Sequence, residues 1–152
     1  MGIFTDAEIE YLRHKATRWS EYNALLGRLA TVGPDGAPHV VPLGVTYDPD
    51  AEAIVISGSA GTNMAASKKF RDSRRNPDVA VVIDDLESVD PWTPRYIEVR
   101  GRAETFAEGG EEEGRRLADP LPWDPAWMRI RPRRIVTLGI VGPYQFTARD
   151  VG

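Results

Sequence analysis

Five cations fall within eight positions, Lys68, Lys69, Arg71, Arg74 and Arg75, with one anion, Asp72, among them. They close the stretch VISGSAGTNMAASKKFRDSRRNP (55–77), which begins as an extended apolar run and loosens at Ser57, Gly58 and Ser59. A strand that ends in small residues exposes backbone N–H groups and hydroxyls. A helix that follows adds partial positive charge at its N-terminus. Together these parts suit the phosphate of a ligand; a solvated basic helix is the plain alternative. Neither GxxxxGK[ST] nor GxGxxG occurs here, so this is no ordinary nucleotide loop. The stretch carries +4 in a chain of net charge −4, so everything else sums to −8. The chain has only three lysines, and Lys68 and Lys69 are two of them.

A second candidate is HVVPLGVTYD (39–48). As a strand it puts His39, Val41, Leu43, Val45 and Tyr47 on one face and Val40, Pro42, Gly44 and Thr46 on the other. The second face is small. Gly or Pro inside a strand marks an edge, a bulge or a close approach by a ligand. A flat ring against this face and a kinked barrel corner both satisfy the pattern. The other reactive residue types are sparse. His14 and His39 have no second ligand at metal spacing, so no metal site is expected. His39, Tyr47 and Tyr144 are candidates for delivering a proton. Trp92, Trp123 and Trp127 suit a pocket wall or ordinary packing. No serine lies in GxSxG. Glu111, Glu112 and Glu113 read as a solvated helix start favoured by the helix dipole.

The elements that must position these residues belong to a chain of 152 residues, most simply one domain over 1–152. With 41% hydrophobic residues it can bury an ordinary core. No apolar run approaches the roughly 20 residues of a membrane span, and the N-terminus has no apolar signal segment. The expected location is the cytoplasm. Zero cysteines exclude disulfides and thiolate chemistry. The acidic balance argues against nucleic-acid binding.

Thr5 to Glu8 forms a capping-box pattern, and Ile9, Leu12, Ala16 and Trp19 follow at helical spacing, predicting a helix over about 6–18. Strands are expected at 25–32, 39–48, 53–57, 78–84, 96–106 and 134–142, with Pro34-Asp35-Gly36 turning the first hairpin. The basic stretch reads as a short helix stopped at Asn76-Pro77, and EGGEEEGRRLAD as another. The Pro/Trp-rich DPLPWDPAW (119–127) reads as irregular loop. The fold expected is mainly β: a six-stranded antiparallel barrel over about 24–142 with short flanking helices.

Taken together, D-G-x-P-x-x-x-P at 35–42, K-x-x-x-x-x-x-N-P at 69–77 and V-x-G-x-A-E at 99–104 resemble the split β-barrel flavin/deazaflavin oxidoreductases, the superfamily of pyridoxamine 5′-phosphate oxidase. The resemblance runs from about Leu25 to Ile140 and is nearest the branch that uses coenzyme F420. It implies a homodimer with the cofactor in a groove between subunits. Val41, Pro42, Leu43 and Gly44 would face the flat ring. Ser57, Gly58 and Ser59 would approach the ribityl chain and phosphate. Lys69 would hold the phosphate with help from Lys68, and Trp92 would come from the other subunit. The implied activity is hydride transfer from reduced F420 to an activated C=C or quinone-type substrate, with no dedicated catalytic side chain. The oxidase proper has cations at both ends of its second strand segment and a Trp-Arg segment near its C-terminus. Here the strand reads HVVPLG and the chain ends YQFTARDVG, so pyridoxamine phosphate oxidation is not expected. An FMN oxidoreductase on the same barrel and a non-catalytic flavin, deazaflavin or haem carrier remain as alternatives.

Overall fold

The computed structural model describes residues 2–19, 25–118 and 122–152, with 14–19 and 118 described by backbone alone. The elements run α1 (Asp6–Trp19), β1 (Leu25–Val32), β2 (Pro38–Asp48), β3 (Ala53–Ser59), a 3₁₀ turn (Met64–Ala66), α2 (Lys68–Arg75), β4 (Asp78–Ser88), β5 (Thr93–Phe106), α3 (Gly110–Ala118), β6 (Trp123–Leu138) and β7 (Phe146–Asp150). The strands form one antiparallel sheet ordered β3-β2-β1-β4-β5-β6-β7, and β3 also pairs with β6. That last pairing closes six strands into the expected barrel. β7 stays outside the ring as an added edge.

Local sequence explains the turns. In the β1–β2 hairpin the Asp35 carboxylate accepts from Ala37 N at 3.0 Å, and Gly33 N donates to Ala37 O. At the start of α1 the capping box is complete: Glu8 N donates to Thr5 Oγ1 at 3.2 Å and Thr5 N donates to Glu8 Oε2 at 2.8 Å. Glu8 is buried and also pairs with Arg149 of β7, so the first helix is fastened to the last strand. β5 alternates as its sequence requires, with Ile97, Val99 and Ala103 buried and Arg100 and Arg102 exposed. Inside the ring Leu29, Val45, Ile54, Ile56, Val81, Ile83, Met128, Ile130 and Ile135 join them, with Leu12 of α1 and Phe70 of α2 in the same core.

Two expectations fail. Residues 119–121 lie outside the described set, but Trp123–Trp127, read as loop, are the first part of β6. Ser57 pairs with Trp127 and Ser59 with Trp123, leaving extra residues on β6. Exposed Pro125 sits in that bulge, where the missing N–H costs no ladder bond, and the Asp124 carboxylate holds Ala126 N at 3.0 Å. At the other end β6 stops at Leu138, and the chain turns to form β7, which the sequence reading missed. β7 is short and exposed along most of its length, so it lacks an apolar signature and exists by pairing with β6.

The family glycine of V-x-G-x-A-E has a spatial cause. β5 and β6 shift register between Arg100 and Gly101, where Arg133 is the extra residue. A Cβ on Gly101 would lie 2.1 Å from the Arg131 carbonyl oxygen. We expect Gly101→Ala to destabilise the fold by about 1–3 kcal/mol, the usual cost of forcing an atom into a packed interior, read as a lower midpoint in urea denaturation.

Candidate active site

The site residues Ser57 to Lys69 belong to one continuous strand–turn–helix unit. β3 ends with Ser57 and Ser59 opposite Trp127 and Trp123. Ala60 N then donates to Pro122 O, and the Thr62 hydroxyl donates to Ser59 O at 2.7 Å. Gly58 sits where a Cβ would come within 3.4 Å of Thr62, Met64 and Asp124 together, so this strand end is tightly cradled. Asn63, in the left-handed region at φ 52, starts the 3₁₀ turn. Ser67 then caps α2: its hydroxyl donates to Met64 O at 2.6 Å and accepts from Phe70 N at 3.4 Å. At the other end Asn76 caps the helix and its side chain accepts from Asp78 N, while Pro77 O accepts from Ala103 N of β5. The N-P and V-x-G-x-A-E motifs are therefore one joint.

The helix sorts its cations. Asp72 is buried, 4% exposed, and receives Lys68 Nζ at 2.7 Å and Arg75 Nη2 at 2.9 Å. The Lys68 hydrogen bond is the main reason that its carboxyl lies below the ordinary Asp value; the Arg75 charge adds to it, against a smaller opposing effect of burial. Arg74 lies over the Phe70 ring at 5.6 Å. Lys69 differs: it is half-buried, and burial alone pushes its pKa below the usual lysine value. Among the described residues it has no ion-pair partner. A half-desolvated ammonium with no counter-charge among the described residues is a donor that fits a phosphate, and Ser57 and Ser59 lie at the end of the strand that leads into its helix.

On β2, Val41 and Leu43 turn inward and pack on the core, whereas Val40, Pro42 and Gly44 face out. The strand therefore presents its small outer residues and its backbone to a flat ring, and not the side chains of Val41 and Leu43. Pro42 lies opposite Arg28, and Gly44 opposite Leu26. Trp92 is 58% exposed on the β4–β5 turn. β4 starts at Asp78, beside α2, and runs 11 residues, which at about 3.3 Å per residue is on the order of 35 Å. Trp92 and Lys69 of one chain thus lie at opposite ends of the barrel.

The proton-delivery candidates occupy different settings. His39 Nδ1 is buried without a hydrogen-bond partner. Tyr47 packs edge-on against Phe4 at 5.2 Å, and burial, with Glu52 adding to it, raises its pKa, making it a weaker acid. The exposed Tyr144 hydroxyl donates to Trp92 O. The His14 side chain lies outside the described residues. No group of metal-ligating side chains occurs among the described residues, and none of their helices is long and apolar enough to cross a membrane. Trp127 is core: it stacks on Phe106 at 4.3 Å and donates to Glu108 O. Sequence reading missed the exposed apolar tip formed by Val141, Tyr144 and Phe146 beside Val89 and Trp92. Its only sequence signal was an aromatic pair in a Gly-Pro turn.

A closed antiparallel split barrel with a capped basic helix at one end is the fold of the flavin/deazaflavin oxidoreductases. The pyridoxamine 5′-phosphate oxidase family model matches residues 18–140, and the chain belongs to that family. It is 40% identical over 150 residues to the 5a,11a-dehydrotetracycline/5a,11a-dehydrooxytetracycline reductase of Streptomyces rimosus, covering 97% of this chain and 93% of that one. Among solved structures it resembles an F420 reductase (24% identity, TM-score 0.57, covering 83% of this chain and 94% of that one). It also resembles a pyridoxamine 5′-phosphate oxidase-related, FMN-binding protein of Nostoc punctiforme (12% identity, TM-score 0.64, 97% and 96%). At these identities the two structures speak for the fold.

The ion triad of α2 yields a pH prediction. The folded pKa of Asp72 lies below the ordinary 3.8, so the stability it contributes is full above that value and is lost as pH falls through the folded pKa. Asp72→Asn should lower stability at pH 7 and leave less further loss between pH 5 and 2 than in the wild type, measured as thermal midpoints across pH.

Proposed function

We propose that this chain is an F420-dependent reductase that acts as a homodimer on an activated C=C or quinone-type organic substrate. The observation that carries the reading is Lys69, a half-buried ammonium with no counter-ion among the described residues, in a chain 40% identical to a 5a,11a-dehydrotetracycline/5a,11a-dehydrooxytetracycline reductase. Lys69 would hold the cofactor phosphate, while Ser57 and Ser59, at the end of β3, would approach the ribityl chain and phosphate, with Gly58 allowing the close approach. Lys68 acts one step away, by holding Asp72 and so fixing the helix. The outer face at Pro42 and Gly44, with the backbone of Val41 and Leu43, would lie along the ring, and Trp92 would come from the partner. When bound, F420 supplies a hydride donor at C5 of its ring. The chain's residues bind, orient and exclude water. His39 and Gly44, standing where the oxidase proper has cations, favour F420 over FMN.

The dimer reading rests on an exposed apolar sheet face. Leu26 is 60% and Val40 66% exposed, with Pro42 and Gly44 between them on β2. Arg28, opposite Pro42 and paired with Asp84, lies between them, and exposed apolar residues around an ion pair of this kind suit an interaction site. Val40→Asp should shift the protein from dimer to monomer in sedimentation velocity without lowering its thermal midpoint by more than a few degrees; an unchanged dimer would reject this face.

The cofactor assignment is tested by titrating wild type and Lys69→Ala with F420 and, separately, FMN, reading tryptophan fluorescence. Removing one charge-assisted bond should cost about 1.5–3 kcal/mol, roughly ten- to hundredfold in Kd for F420. Tighter binding of FMN than F420 would move the protein to the flavin branch, and equal F420 affinity in the variant would remove Lys69 from the site.

A further inference from the structure

At the end of the barrel away from α2, a cleft opens between α1 and the β2–β3 turn. It consists of a cavity of about 750 Å³ and an inner one of about 190 Å³, and Arg13, Tyr47 and Pro49 line both. The larger volume is that of a small-molecule site, roughly 300–1,000 Å³. The cleft is far from the proposed cofactor phosphate site. A Cβ on Gly33, in the β1–β2 turn, would lie 3.3 Å from Lys68 Nζ, so α2 sits at that turn. From there β2 carries the chain from Pro38 to Tyr47, on the order of 30 Å at about 3.3 Å per residue.

The walls of the cleft are fixed. Tyr47 is pinned edge-on against buried Phe4, with ring centroids 5.2 Å apart. On the inner side Arg116 is committed to Asp48 at 2.7 Å, Asp50 at 3.2 Å and Glu113 at 2.6 Å, which ties α3 to the β2–β3 turn. Glu52 uses one carboxylate oxygen to accept from Ile3 N at 2.7 Å. On its far side α1 is held by the Tyr11 hydroxyl, which donates to Asp85 at 2.9 Å. Ile9 and Pro49 supply apolar surface between these polar groups.

The charges left without partners decide what the cleft can take. Among the described residues the Asp6 and Glu10 side chains make no hydrogen bond or ion pair, and Glu52 keeps its second oxygen open. Against these three carboxylates stands one unpaired guanidinium, Arg13. The Tyr47 phenol is a weaker acid than usual, through burial first and then the nearby Glu52 charge, so it stands in the cleft as a neutral hydroxyl at pH 7.

We propose that this cleft binds a small organic amine of the arylalkylamine class. Its ammonium group lies among Asp6, Glu10 and Glu52 beside the Tyr47 ring, and its apolar body runs along Ile9 and Pro49. A cation gains from both the carboxylates and the aromatic ring, whereas a carboxylate ligand would meet an excess of its own charge. The site shares no residue with the proposed F420 site and does not depend on that reading.

Calorimetry on the full chain, with F420 and without it, tests the proposal. The probe is phenethylamine. 3-Phenylpropionate serves as a similar body with the opposite charge, and ethylamine as the charge without the body. One phenethylamine should bind per chain, at least about tenfold tighter than either control. Glu10→Arg reverses one rim charge and should weaken phenethylamine roughly tenfold. Arg13→Ala removes a like charge and should tighten it roughly two- to fivefold, the scale of exposed charge contacts. Both side chains are exposed, so the thermal midpoint and F420 affinity should be those of the wild type. Tyr47→Phe keeps the packing on Phe4 and should abolish the tyrosine difference absorbance produced by phenethylamine. Lys69→Ala should bind phenethylamine as the wild type does. Absence of saturable binding, 3-phenylpropionate bound as tightly as phenethylamine, wild-type affinity in Glu10→Arg, or weakened binding in Lys69→Ala would each overturn the proposal.

Discussion

Closure of β3 onto β6 is the constraint on which the other features depend. Ala53, Ile54, Val55 and Ile56 are each at most 1% exposed, so β3 is covered on both faces. β6 satisfies its free edge and closes the ring, so the core covers its inner face, while α3 packs outside, where Trp123 lies against Gly114 of that helix. An open sheet would leave two apolar edges bare, the arrangement natural proteins avoid. Closure also decides where the chain emerges. Ser59 leaves the ring beside the start of β6, is held there by the Ala60–Pro122 bond, and so delivers α2 to one end of the barrel.

At that end a buried anion organises the cations. Asp72 would be costly alone in an apolar setting. Lys68 and Arg75 neutralise it and thereby fix the rotation of α2, with Phe70 buried in the core. A buried ion pair of this kind is weak evidence for stability, because desolvation opposes the attraction. Its visible consequence is orientation. With Lys68 committed to Asp72, the adjacent Lys69 is left pointing elsewhere, half-desolvated and unpaired among the described residues. Two lysines adjacent in sequence therefore differ in pairing, Lys68 held by Asp72 and Lys69 with no ion pair among the described residues.

Much of this was legible beforehand. The alternation of β5, the Thr5–Glu8 box and the Asp35-Gly36 turn are local signals, and each formed where its residues indicated. The motifs gave the barrel because each motif residue is a joint: Asp35 in a turn, Asn76 in a cap, Gly101 under a carbonyl. What escaped reading was non-local. Trp123–Trp127 looked like loop because Pro120, Pro122 and Pro125 punctuate it, and only the unpaired edge of β3 turns it into strand. β7 has no apolar face of its own. The separation of Lys68 from Lys69 depends on which helix face meets the core, which a run of charges conceals. That Val41 and Leu43 turn inward was available from alternation, but a strand with small residues on one face does not say which face meets the ring.

On the proposed reading, the two ends of the barrel do different physical work. The α2 end is polar and built from charge, capped helix and small residues, which suits a constant, anionic cofactor. The turn end is apolar and aromatic, which suits recognition by shape and stacking. Asp72, Ser67 and Asn76 make their hydrogen bonds at the α2 end, and among the described residues none of those bonds reaches Trp92 or Tyr144. A change at the turns therefore leaves the capped helix undisturbed, with the barrel between the two ends acting as a spacer of set length.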